Sequence, residues 1–143
     1  QMQMLTCFRD PAATVGHPVL FAANREATGE AYIEVPALQL SYVIRDRQIE
    51  VVRQQGDAGS ERVDVTGWKM THDERMLPAN LVITRFDDLQ NIVATTMMKR
   101  TYKESAEGWV MDRQDCCSVT APGVASRTSL RFSDVEVSDA TKR

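Results

Sequence analysis

The sequence predicts an all-β fold, or a β-rich α+β one: an antiparallel sandwich or small barrel with one or two short helical turns. Three observations carry this. Apolar and polar residues alternate with period 2 in one segment after another, stripes of period 3.6 are hard to find, and Gly-rich or charged breaks separate the alternating runs. At 143 residues, with 43% hydrophobic and 26% charged side chains, the chain has the size and composition of one globular domain, 1–143.

Taken in order, "MLTCF" is an early apolar strand that includes Cys7. "ANREATGEAY" (23–32) reads as a turn or two of helix after Asn24. In "ALQLSYVIR" the residues Leu38, Leu40, Tyr42 and Ile44 fall on one face. "RDR" is a polar turn, and "QIEVVRQ" returns with Ile49 and Val51 on one face, which makes a hairpin. "GDAGS" (56–60) turns into "ERVDVTGW", where Val63 and Val65 alternate with charged neighbours. "THDERML" (71–77) can hold one helical turn before Pro78. "NLVITRF" (80–86) and the β-branched "NIVATTMMKRTY" (91–102) are strands. "KESAEG" (103–108) is the clearest loop, leading into "WVMDRQDCCSVTA"; the last strand is "TSLRFSDVEV" (128–137), with Leu130 and Phe132 facing one way.

The charge balance excludes some partners. Residues 1–36 carry −2, residues 37–79 carry −1 and residues 80–143 carry 0, giving the net −3. No segment is basic, so neither nucleic acid nor an anionic membrane surface is expected as a partner. The 13 Arg against 4 Lys read as codon bias. No apolar run approaches the ~20 residues of a membrane helix, so no membrane span is expected. The opening "QMQMLTC", without an initiator methionine, reads as a processed terminus or a fragment.

Three cysteines raise the question of redox compartment. Cys116 and Cys117 are adjacent, so on a strand they point to opposite faces. A bond from Cys7 to one of them closes a loop of about a hundred residues, a stabilisation of roughly 4–5 kcal/mol in the chain-entropy model, and suits an exported protein. The alternative is three reduced thiols in the cytoplasm, two of them packed as small hydrophobes.

Sites for chemistry are sparse. His17, His72 and the cysteines lack metal-ligand spacing, so neither a metal nor another cofactor is expected. No nucleophile elbow, phosphate loop or dinucleotide fingerprint is present, and no catalytic residue is assigned. The paired carboxylates Asp73-Glu74 and Asp87-Asp88 read as turn caps or solvated groups. Trp68 and Trp109 each sit at a strand end, either packing the core or anchoring an interface.

What remains is an exported module that binds another protein, such as a periplasmic inhibitor or immunity protein that occludes its partner. Its candidate contact segment is "GWKMTHDERMLPAN" (67–80), which combines Trp68, His72, Asp73, Glu74 and Arg75 in a stretch without alternation. Two alternatives are a lipocalin-like carrier, with Met97, Met98 and Met111 lining a cavity for a small apolar ligand, and an enzyme whose site is assembled only in three dimensions.

Overall fold

The computed structural model describes residues 20–24, 30–106 and 108–133. Nine strands follow one another: β1 (Leu20–Asn24), β2 (Glu30–Val35), β3 (Leu40–Arg45), β4 (Gln48–Gly56), β5 (Gly59–Met70), β6 (Met76–Phe86), β7 (Ile92–Ser105), β8 (Gly108–Thr120) and β9 (Val124–Arg131). Each pairs antiparallel with the next, giving one sheet in sequence order. Among the described residues, helix is confined to a 3-10 turn at Pro36–Leu38.

The all-β class is therefore observed. The finer expectation of a sandwich or barrel is not met among the described residues: there is one sheet rather than two, and β1 and β9 do not pair to close it. Of the stretch read as helix over 23–32, residues 23–24 and 30–32 are strand and 25–29 lie outside the described residues, while the helical turn expected at 71–77 is a hairpin turn over 71–75 followed by β6. Cross-strand pairing explains the switch. In β2, Ile33 and Val35 lie opposite Tyr42 and Leu40, and burying that face outweighs the local preference of an isolated helical turn.

The core lies on one face. A lateral row of directly opposed residues crosses the sheet as Ile33, Tyr42, Val52, Val63, Ile83, Thr96 and Ser118. It is apolar as far as β6, then turns polar, with Thr96 and Ser118 sharing a hydrogen bond of 2.7 Å between hydroxyls. A second row runs Val65, Leu81, Met98 and Cys116. Tyr42, Val52, Leu81 and Met98 are exposed by 3% or less. A single flat layer would leave both faces wet, so such burial requires cover from the chain itself. Register shifts in the β3–β4, β5–β6, β6–β7 and β7–β8 ladders add local twist, which coils the sheet.

One of those shifts moves a residue to the other face. Ile44 lies opposite Ile49 while Val43 lies opposite Val51, leaving Glu50 as the extra residue. Ile49 therefore shares the core face with Val52, and the expected pairing of Ile49 with Val51 on one face is corrected. Leu38 also leaves the expected face, because it belongs to the 3-10 turn and is exposed. The turn between β3 and β4 is tight: Asp46 and Arg47 both have positive φ, 49° and 66°, as a two-residue hairpin turn demands. The loop expected at 103–108 is mostly strand, with β7 running to Ser105 and β8 starting at Gly108.

Candidate hairpin-tip site

Two neighbouring hairpin ends, β5–β6 and β7–β8, bring together the side chains best suited to recognition. The first contains most of the segment that the sequence marked as an irregular loop. It is a paired hairpin instead, with Trp68 opposite Pro78, Lys69 opposite Leu77 and Met70 opposite Met76. Register shifts on both sides of Gly67 break the alternation and explain why the strands were not legible. A Cβ on Gly67 would lie 2.4 Å from the Asn80 side-chain amide nitrogen.

The turn itself is held by Thr71, which is buried. Its hydroxyl donates to the Asp73 carboxylate and accepts the Arg75 backbone N–H at 2.9 Å. The Thr71 N–H donates to the Arg75 carbonyl at 2.9 Å, and the Glu74 N–H to the Thr71 carbonyl at 3.1 Å. Glu74 adopts a left-handed conformation, with φ of 63°. The bond from Thr71, more than the Arg75 guanidinium, holds the Asp73 carboxyl below its ordinary range. Arg75 Nε stands 2.9 Å from Asp73 Oδ2.

The second hairpin supplies the aromatic. Trp109 lies directly opposite Glu104 on β7. Lys69 Nζ sits 5.4 Å from the centre of the Trp109 ring, within cation–π range. The His72 ring tilts against the same indole at 5.8 Å and 53°, with its Nε2 3.6 Å from Glu104 Oε1. The indole N–H is buried without an acceptor among the described residues. Tyr102 ties the two hairpins together by donating its hydroxyl to the Pro78 carbonyl at 2.6 Å. Burial raises the Tyr102 pKa, so it donates as a neutral phenol.

The predicted site residues thus separate. His72, Asp73, Glu74 and Arg75 lie together and exposed in the turn. Trp68 is half-buried and packs against the core cluster. The aromatic that His72 meets is Trp109, 37 positions away in sequence (109 − 72). No spacing rule links the two; only the order of the hairpins does.

Other expectations find their places. The Asp87 carboxylate accepts from the backbone N–H groups of Leu89 and Asn91 at 2.9 and 2.8 Å and from the Asn91 amide at 3.0 Å. It is a turn cap, held below the usual carboxylate range mainly by the Asn91 amide. Cys116 and Cys117 are free thiols, and Cys7 and His17 lie outside the described residues. Cys116 packs against the core, and burial pushes its thiol pKa up; Cys117 shares the other face with Met97. Met98 is a core residue and Met97 is 58% exposed on the opposite face; both border a groove of about 460 Å³ that Lys99, Asp115 and Arg127 also line. Another groove, about 570 Å³, has a mixed lining that includes Tyr32, Leu40 and Phe86 beside Glu34, Arg53 and Arg62. Among the described residues, no three His, Cys, Asp or Glu gather as a metal site. No family model, curated protein or solved structure matches the chain.

Proposed function

We propose that this chain is a protein-binding module that occludes a partner protein, and that its contact surface is the pair of hairpin tips around Trp109. One observation carries the reading: an indole ring on the β7–β8 hairpin, flanked by Lys69 and His72 of the neighbouring β5–β6 hairpin, with Glu104 beside His72 and the Asp73–Arg75 ion pair in the same turn as His72. Interface hot spots favour such a composition, an aromatic and an Arg surrounded by groups that exclude water. Hairpin tips on a rigid sheet also hold their side chains in place, which lowers the ordering cost of binding. Export to an oxidising compartment belongs to the same proposal.

The test compares baits. The parent protein and the variants Trp109→Ala, His72→Ala and Arg75→Ala are immobilised alongside Leu89→Ala, which changes the exposed turn between β6 and β7. Each bait is exposed to extracytoplasmic and cytosolic extracts of the host, and captured proteins are quantified by mass spectrometry. The expected result is a partner from the extracytoplasmic extract that the parent and Leu89→Ala retain. At least one tip variant should bind it about 30-fold more weakly, the equivalent of a hot spot of ~2 kcal/mol. If every tip variant captures like the parent, the tips are not the contact surface. Circular dichroism on each bait separates lost contact from lost fold.

A further inference from the structure

The outer edge of the sheet carries a second surface, separate from the tips. Among the described residues β9 pairs only with β8, and all eight of its residues are exposed. Its register sorts the side chains onto two faces. Ala125, Arg127, Ser129 and Arg131 lie on one, and Val124, Ser126, Thr128 and Leu130 on the other.

The first face is cationic. Arg131 lies directly opposite Arg113, and Lys99 of β7 lies opposite Asp115. Asp115 is the one carboxylate in this group, and it is already engaged. It accepts from Ser129 Oγ at 2.6 Å and from Arg113 Nη2 at 2.9 Å. Arg127 and Arg131 make no ion pair among the described residues. Placing Arg113 across from Arg131 is unfavourable for the sheet alone, and four cations on this face, Lys99, Arg113, Arg127 and Arg131, share the single carboxylate of Asp115, which Arg127 also attracts. On the second face, Val124 and Leu130 are 64% and 41% exposed. A strand edge also presents alternate N–H and C=O groups that a further strand can pair with.

We infer that β9 is a docking edge for an extended acidic segment of a partner protein, added as one more strand. Its carboxylates, at alternate positions, meet Arg127 and Arg131, which are four residues apart and on one face. Its intervening apolar side chains cover Val124 and Leu130. Main-chain pairing supplies affinity and the alternation supplies specificity, the usual division of roles in strand addition. A compact anion or a nucleic acid would meet the arginines alone and leave both the backbone edge and the apolar pair uncovered.

The test uses the full chain and a fluorescein-labelled eight-residue peptide that alternates Glu and Val, titrated by fluorescence anisotropy. Two control peptides carry the same residues as a Glu block followed by a Val block, or Lys in place of Glu. The alternating acidic peptide is expected to bind at least ten-fold more tightly than either control. Joint replacement Arg127→Glu and Arg131→Glu should abolish its binding, and the milder Arg127→Gln with Arg131→Gln should weaken it if the reversal impairs folding. Equal binding of the block peptide reduces the surface to bulk charge and overturns the inference, as does undiminished binding by both arginine variants. The chain's own residues 134–137, "DVEV", show the same alternation. Binding that emerges only after Asp134→Lys and Glu136→Lys identifies that stretch as the occupant and overturns the assignment to a partner.

Discussion

Replacing Leu81 by Ala is expected to cost the protein about 3 kcal/mol, within the ~2–5 kcal/mol that buried Leu truncations span. Leu81 is 2% exposed and sits in β6 between Val65 and Met98 on the core face. Its neighbours are held by ladders on both sides, so they cannot collapse into the space, and the cavity term adds to the lost burial. Urea denaturation reads the loss as a lower midpoint at unchanged slope. The same truncation at Leu89, 78% exposed in the β6–β7 turn, should change stability by less than about 0.5 kcal/mol. If the two cost the same, the core does not lie where β6 puts it.

An added methyl at Gly59 is expected to do comparable harm by the opposite route. Gly59 opens β5 with φ of 131°, a region that L side chains rarely adopt. A Cβ there would lie 2.0 Å from the Phe86 carbonyl oxygen and 3.0 Å from its carbon. The obstacle is backbone of the adjacent β6, so nothing flexible can move aside. Strain of about 1–3 kcal/mol and overpacking of a similar ~1–3 kcal/mol act together, and Gly59→Ala should lose about 3 kcal/mol or more. Gly123 separates the two causes. Its φ is 105°, yet an added Cβ there meets nothing within 4 Å, so Gly123→Ala should show the conformational part alone. Thermal unfolding of the two variants side by side reads the difference, and a Gly59→Ala protein no less stable than Gly123→Ala would contradict the close approach of β5 and β6.

The parts of this fold that could be read in the sequence are those specified by neighbours along the chain. The β3–β4 hairpin announces itself because Leu40, Tyr42 and Ile44 alternate up to a polar turn, and β4–β5 because glycines bracket Asp57 and Ala58. Where a bulge intervenes, the period is lost. Glu50 shifts Val51 to the far face, and the irregular pairing around Gly67 disguised a paired hairpin as a loop. At residues 30–32, the end of the stretch read as helical, tertiary pairing with β3 decided the outcome for strand.

Both candidate surfaces depend on placement between strands, which is why neither was complete in the sequence. His72 and Arg75 were visible as a polar cluster, but Trp109 and Glu104 reach His72 only because two hairpins stand side by side. Arg113 and Arg131 are 18 positions apart (131 − 113), in a region with no net charge, and become opposed only when β8 and β9 pair. Regional charge sums miss such a patch because nine basic and nine acidic residues cancel over 80–143 whatever their positions.

Amide hydrogen exchange followed by NMR tests the central structural claim, a sheet that among the described residues stays open and pairs its outer strand β9 only with β8. Amides of β6, flanked by β5 and β7, are expected to be protected along the whole strand, with opening free energies near that of global unfolding. In β9 the pattern should alternate. Amides directed at β8 should be protected, and those directed outward should exchange at rates close to those of an unstructured chain. Uniform protection of β9 at the level of β6 would contradict the account, because it would mean that another strand already covers the edge.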